Sequence, residues 1–120
     1  MKIRFCFLSC NSPSVTPRVV FVGETHDDKT VRVVNSGRVE VDLYGDPDTG
    51  YLWKLTSTVP SELQQIGQAR VRRYTDSLGS SGTTTYSFRA RELGEAELDF
   101  VFRHPETDDI KDSFSVNIKV

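Results

Sequence analysis

Histidines, cysteines and paired acids are the residues of this chain that could do chemistry, since they serve as nucleophiles, proton carriers or metal ligands. The chain has two histidines, His26 and His104. A nucleophilic enzyme needs a Ser, Cys or Thr beside a base. However, His26 lies in a hydrophilic stretch, residues 24–29, and His104 precedes a proline at the end of an alternating segment. No Gly-x-Ser-x-Gly elbow and no phosphate-cradling loop is present. We therefore predict that the chain is not an enzyme.

Metal binding and cofactor binding are not expected either. Cys6 and Cys10 lie four residues apart, and no His/Cys/Asp cluster has the spacing of a zinc site. A disulfide between them would close a very short loop and stabilise almost nothing in the rest of the fold. The acidic pairs at 27–28 and 108–109 lie in hydrophilic segments. We expect these acids to keep the chain soluble rather than to act as acid and base.

Length and charge set the class of protein. A chain of 120 residues with 37% hydrophobic and 27% charged residues is expected to form one globular domain. Its net charge of -2 gives no electrostatic footprint for nucleic acid or for an anionic membrane. The basic cluster at 70–73 alternates like a strand, so we interpret it as a solvated strand face. Residues 1–17 are expected to form an N-terminal arm or degenerate targeting segment, which leaves the localisation open, and residues 18–120 the domain.

Short segments that alternate between apolar and polar residues run along the chain from residue 18. A period of two over four to eight residues is typical of half-buried strands. About eight such segments, separated by turn residues, predict an antiparallel β-sandwich. Their ranges are 19–22, 30–34, 38–43, 51–56, 69–74, 86–90, 98–102 and 114–120. The segment 61–66 alone has the pattern of a helix, with Ser61 placed as its cap, although it would also fit one turn of a loop.

Three segments between strands have the rigid or glycine-rich composition of recognition loops, which cluster at one end of a sandwich. The first, residues 46–51, reads Asp-Pro-Asp-Thr-Gly-Tyr, in which Pro47 fixes one backbone angle and Gly50 permits a positive one. The second, 78–83, is composed largely of Gly, Ser and Thr, and the third, 103–106, reads Arg-His-Pro-Glu. Each would also be an ordinary turn if it occurred alone.

The order of these segments resembles the chagasin family of cysteine-peptidase inhibitors. That family carries an Asn-Pro-x-Thr-Gly-Tyr/Phe-x-Trp loop, then a Gly-x-Gly-Gly loop, then an aromatic-x-Arg-Pro-Trp loop. The matching stretches are 46–53, 79–82 and 102–106. The resemblance extends over nearly everything from about residue 19 to residue 120.

The resemblance implies an immunoglobulin-like β-sandwich that inhibits papain-family cysteine peptidases reversibly and competitively. The three loops would form a wedge in the active-site cleft, with the central loop, residues 46–51, over the catalytic cysteine and the other two on either side. The expected partner is thus a papain-like cysteine peptidase, and the inhibitor is expected to be a monomer when free. The residues that the resemblance places at the contact are Pro47, Asp48, Thr49, Gly50, Tyr51, Trp53, Gly79, Ser80, Ser81, Gly82, Arg103, His104, Pro105 and Glu106.

The chain departs from the family pattern at several positions. Asp46 replaces an Asn, and Ser81 replaces a Gly, so the second loop must be arranged differently if that position needs a positive φ. The third loop departs most, because Glu106 stands where the family has Trp, a frequent hot spot of interfaces. We therefore expect altered target preference or weaker binding through this loop. The alternative hypothesis is a non-inhibitory immunoglobulin-like interaction module.

Overall fold

Two β-sheets pack face to face in the computed structural model of the chain, which describes residues 18–45, 49–73 and 82–120. The described residues form nine strands and one short 3-10 helix. In chain order these are β1 (Val19–Val22), the 3-10 helix Glu24–His26, β2 (Lys29–Arg32), β3 (Arg38–Gly45), β4 (Leu52–Leu55), β5 (Leu63–Gln65), β6 (Arg70–Arg73), β7 (Gly82–Ala90), β8 (Glu95–Arg103) and β9 (Ile110–Lys119). The predicted all-β fold is confirmed, and β5 is the strand beyond the eight that the sequence indicated.

The order of the strands follows the pairing of the four longest ones. The first sheet has the order β2-β9-β8-β4, and the second has the order β1-β3-β7-β5, with β6 also paired to β7. The long pairs, β8 with β9 and β3 with β7, are antiparallel, as predicted. Two short strands instead pair in parallel, β1 with β3 and β2 with β9. Alternation of apolar residues predicts that a strand exists but not the direction of its neighbour, so these parallel pairs could not be predicted from it.

The core lies between the inner faces of the two sheets. In the second sheet Val39 is opposite Phe88, and in the first sheet Phe114 is opposite Phe100, and all four side chains are buried. These are the alternating positions that the sequence pattern assigned to one face. Because burial of a large apolar side chain stabilises a fold by about 1.5–3 kcal/mol, this double layer holds the strands that carry the loops.

The segment 61–66 is not helical, which corrects the prediction. Residues Leu63–Gln65 form strand β5, which pairs with residues 88–90 of β7. The Leu63 side chain is buried in the core, and the N–H of Ile66 donates a hydrogen bond to the carbonyl of Ser87 at 2.7 Å. The backbone thus finds its partners across β7 rather than four residues back along the chain. Burial of one leucine and pairing with a neighbour outweigh the modest helix preference of Ser, Glu, Leu and Gln.

A buried carboxylate ties β6 to β3 on the outer face of the second sheet. Glu40 accepts hydrogen bonds from Arg38 at 2.9 Å, from Arg70 at 3.3 Å and from the Ser87 hydroxyl at 2.9 Å. Buried charges need such partners to offset the loss of hydration. The basic cluster at 70–73 is a strand, as predicted, and its first arginine anchors the strand that leads toward the second loop.

Several sequence-based expectations concern the remaining parts of the chain. The N-terminal arm with Cys6 and Cys10 lies outside the described residues. No helix among residues 18–45, 49–73 and 82–120 is long and apolar enough to cross a membrane. The same residues contain no group of three or more His, Cys, Asp or Glu side chains that could hold a metal ion. His26 instead accepts a hydrogen bond through Nδ1 from the N–H of Gly23, at 3.1 Å.

Candidate functional site

The strand ends that border the three predicted loops meet at one end of the sandwich, which we call the loop end. Gly45, the last residue of β3, is opposite Gly82, the first residue of β7, and Gly82 is also opposite Arg73, the last residue of β6. In the other sheet Leu52, the first residue of β4, is opposite Arg103, the last residue of β8, and Arg103 is also opposite Ile110, the first of β9. The topology therefore brings the borders of all three loops together.

Trp53 joins the two sheets at the loop end. Its side chain is only 8% exposed, and its Nε1 donates a hydrogen bond to the carbonyl of Tyr44 at 3.0 Å. The ring packs against Phe102 with centroids 5.2 Å apart. Gly45 leaves room for this pair, because a Cβ at that position would lie 2.9 Å from the Phe102 ring. Trp53 therefore anchors the first loop from below, which is one of the two roles that the sequence suggested for it.

Tyr86 supports Trp53 from the opposite sheet. Its hydroxyl donates a hydrogen bond to the carbonyl of Trp53 at 3.1 Å. Burial raises the pKa of this hydroxyl above its usual value, and a hydrogen bond with the backbone of Leu55 lowers it by a smaller amount. The hydroxyl therefore stays neutral and holds the start of β4 at a fixed height above the second sheet.

The described part of the first loop is a tight turn into β4. Thr49 is exposed, and its Oγ1 accepts a long hydrogen bond from the N–H of Tyr51 at 3.4 Å. Gly50 has φ +88°, a conformation that favours glycine. A Cβ at Gly50 would also lie 2.8 Å from Nε2 of His104, so the turn is fitted closely against the third loop. Pro47 and Asp48 lie outside the described residues.

Tyr51 is the point at which the first and third loops touch. Its hydroxyl donates a hydrogen bond to Oδ2 of Asp109 at 2.6 Å. Its ring meets the edge of His104 at a centroid distance of 5.4 Å and lies 5.6 Å from Phe102, while Nζ of Lys111 lies 4.8 Å from its centroid. The hydrogen bond to Asp109, followed by burial and the negative charge of that carboxylate, raises the pKa of Tyr51.

The third loop is a hairpin turn closed by its own hydrogen bonds. The N–H of His104 donates to the carbonyl of Asp109 at 2.9 Å, and the N–H of Asp108 donates to the carbonyl of His104 at 2.8 Å. Arg103, at the end of β8, pairs with Asp108 at 2.8 Å. Pro105 and Glu106 are exposed at the tip, as a residue that contacts a partner must be.

The second loop lies largely outside the described residues, including Gly79, Ser80 and Ser81. Gly82 and Thr83, which the sequence assigned to this loop, are the first two residues of β7, and Gly82 is buried opposite Gly45. The predicted range 78–83 is therefore too long at its C-terminal end. The strand begins earlier than predicted because the pairing of β3 with β7 continues as far as Gly45 and Gly82.

Asp109 and Lys111 belong to the loop end although the sequence did not indicate them. From the sequence alone, the acidic pair at 108–109 is expected only to keep the chain soluble; both residues are exposed, but one carboxylate binds Arg103 and the other binds Tyr51. The sequence gives a partial indication of these residues. Because β8 and β9 form an antiparallel hairpin, the residues just after the turn must lie beside those just before it. Which of them meets the first loop depends on side-chain geometry between distant parts of the chain.

The chain forms an all-β sandwich in which the borders of the three predicted loops lie at one end, where domains of this architecture usually carry their binding loops. The chain belongs to a particular family of such domains, because residues 32–120 match the family described as Chagasin family peptidase inhibitor I42. The predicted family is thus confirmed, as is the prediction of an inhibitor rather than an enzyme. No curated protein sequence matches the chain.

Solved structures similar to this chain have the same fold. The crystal structure of the cysteine protease inhibitor EhICP2 from Entamoeba histolytica has a TM-score of 0.68 at 14% identity, covering 84% of this chain and 93% of that one. The solution structure of amebosin has a TM-score of 0.67 at 21% identity, covering 87% and 98%. PbICP-C, solved in complex with falcipain-2, has a TM-score of 0.52 at 15% identity, covering 92% and 93%.

Proposed function

We propose that this chain inhibits papain-like cysteine peptidases reversibly and competitively by placing its three loops in the active-site cleft. The observation that carries the proposal is the convergence of the borders of all three loops at one end of a chagasin-family sandwich. The structural neighbour PbICP-C forms a complex with falcipain-2, which is consistent with a peptidase partner of this class. The contact residues are those named from the sequence, with Thr49 and Gly50 at the centre.

The geometry of the first loop explains how such a protein binds without being cut. A peptidase cleaves a peptide whose carbonyl lies in line with the nucleophile and the oxyanion hole. The turn at Gly50, with φ +88°, is not an extended segment of that kind, and its close fit against His104 opposes rearrangement toward one. Because the turn is held in this shape before binding, association costs less conformational entropy.

Titration of papain with the folded protein is the direct test. We expect inhibition at micromolar inhibitor or below, with an apparent affinity that weakens as the concentration of a competing substrate rises. Papain whose catalytic cysteine has been blocked by a bulky alkylating reagent should no longer capture the inhibitor. If the folded protein leaves papain and a cathepsin-L-like enzyme fully active at micromolar concentration, the proposal is wrong. That result would favour the alternative hypothesis of a non-inhibitory interaction module.

Thr49→Ala is expected to weaken inhibition at least about tenfold while lowering the melting temperature by less than about 2 °C, since the side chain is exposed and the hydrogen bond that it accepts from the N–H of Tyr51 is long. The measurement is the inhibition constant against papain beside a thermal unfolding curve. Thr58→Ala, an exposed threonine beyond the far end of β4, is the matched control and should change neither. Equal fractional losses of inhibition and stability for Thr49→Ala would mean that the loop is merely structural.

A further inference from the structure

The polar groups at the base of the third loop are directed inward. His104 accepts a hydrogen bond through Nδ1 from the N–H of Glu106 at 3.2 Å, and Thr107 accepts one through Oγ1 from the N–H of Asp109 at 3.3 Å. Together with the backbone bonds and the Arg103–Asp108 pair, these contacts satisfy the turn from within. The residues that project at its tip are Pro105 and Glu106, and neither is a large apolar anchor.

The side of the same loop that faces the first loop is closely fitted. Asp109 accepts the Tyr51 hydroxyl, the His104 ring meets Tyr51 at 86°, and the ammonium of Lys111 lies over the Tyr51 ring. A phenol that donates to a carboxylate at 2.6 Å makes a charge-assisted hydrogen bond, which is shorter and stronger than a neutral one. The third loop therefore meets the first loop through an edge-to-face ring pair and one strong hydrogen bond, and Lys111 at the start of β9 adds a cation over the Tyr51 ring.

We infer that the third loop of this chain acts mainly as a support that holds the central loop in its binding shape, with Asp109 as a positioning residue that works through the Tyr51 hydroxyl. The inference rests on the proposed function. It assigns to Tyr51 a different role from direct presentation to the peptidase, since the hydroxyl is already engaged within the inhibitor. It also implies that the third loop contributes to binding mainly through the contacts at its base rather than through Glu106.

A mutant cycle on Tyr51 and Asp109, read as the inhibition constant against papain, tests this inference. Tyr51→Phe and Asp109→Ala should each raise the inhibition constant roughly tenfold. The inhibition constant of the double variant should be no more than about twice that of the less potent single variant, because both substitutions remove the same hydrogen bond. Asp109→Asn keeps an acceptor oxygen without the charge, so its inhibition constant should lie between those of the wild type and Asp109→Ala. Glu106→Ala should weaken inhibition less than Asp109→Ala does.

A control variant and a second readout separate a positioning role of Asp109 from the simple loss of a charge. Glu92→Ala removes an exposed carboxylate from the turn between β7 and β8, at the opposite end of the sandwich, and should leave inhibition unchanged. Absorbance-monitored titration of the tyrosines in alkali supplies a second readout. It would be unchanged in an Asp109 variant if Asp109 only contacted the peptidase. In Asp109→Ala one tyrosine should ionise at lower pH than in the wild type, because the bond that raises its pKa is gone.

The possible outcomes are distinct. A wild-type protein that does not inhibit papain overturns the proposed function and this inference with it. A wild type that inhibits, combined with full additivity of Tyr51→Phe and Asp109→Ala, overturns the inference alone. So does a larger loss for Glu106→Ala than for Asp109→Ala, since the tip of the third loop would then be the main contact.

Discussion

Gly50→Ala is expected to weaken inhibition of papain on the order of a hundredfold, which corresponds to about 2.7 kcal/mol of binding free energy. Gly50 has φ +88°, and alanine in this region costs about 1–2 kcal/mol of strain. A methyl group would in addition lie 2.8 Å from Nε2 of His104, whose ring is held between Tyr51 and the N–H of Glu106. The turn must therefore move, and the surface that it offers to the peptidase moves with it.

Gly67→Ala is the matched control for this prediction. Gly67 also has a positive φ, +68°, but a Cβ there would meet nothing within 4 Å, and the residue lies between β5 and β6, away from the central loop. Both variants should lose about 1–2 kcal/mol of stability from backbone strain, seen as a fall of several degrees in melting temperature. Only Gly50→Ala should lose inhibition. If the two variants inhibit equally well, the shape of the turn at Gly50 is not part of the binding surface.

Trp53→Ala is expected to damage both stability and inhibition. Loss of a buried tryptophan costs about 3–5 kcal/mol, and the hydrogen bond to Tyr44 and the ring contact with Phe102 disappear with it. For a domain of this size the melting temperature should fall by more than about 12 °C. Because Trp53 fixes the start of β4 directly after the first loop, the folded fraction that remains should also inhibit at least about tenfold less well.

Phe88→Ala separates the local effect of Trp53 from general weakening of the core. Phe88 is fully buried, but it is opposite Val39 and Gln65 and so lies away from the loop end. Its loss should lower stability by a similar amount, about 3–5 kcal/mol, yet the folded molecules should inhibit as the wild type does. Chemical unfolding gives the folded fraction, and inhibition is then compared per folded molecule. Equal losses of inhibition per folded molecule for the two variants would show that Trp53 has no special role.

Trp53→Phe, which keeps an aromatic ring and loses the N–H, provides an intermediate case if Trp53→Ala fails to fold.

Local sequence pattern predicted the strands and the order of the loops because both depend on residues close together in the chain. Alternation places Val39 and Val41 on one face whatever lies opposite, and the positive φ at residue 50 is one that glycine permits. By contrast, β5 looked helical because the preference of its short segment is weak and the decisive contact, between Leu63 and the core, is distant in sequence.

The parts of the site that escaped prediction depend on contacts between distant side chains. Tyr51 and Asp109 are 58 residues apart, and nothing near either residue indicates that they meet. The resemblance to the family named Tyr51 as a contact residue but gave no reason to expect that its hydroxyl is engaged within the inhibitor. Hairpin geometry limits the candidates to the residues around the turn from β8 to β9, whereas the choice of Asp109 over its neighbours depends on side-chain geometry across three adjacent strands of the first sheet, β4, β8 and β9.

The Tyr86 hydroxyl also affects what can bind to β4 along its length. β4 lies at the edge of the first sheet in the described part of the chain, so its outward backbone groups would otherwise be available for strand addition by another molecule. Tyr86 occupies the carbonyl of Trp53 and also bonds to the backbone of Leu55. An incoming strand would have to displace a buried phenol before it could pair here. Strand addition is therefore opposed at this part of β4, directly beside the loop end.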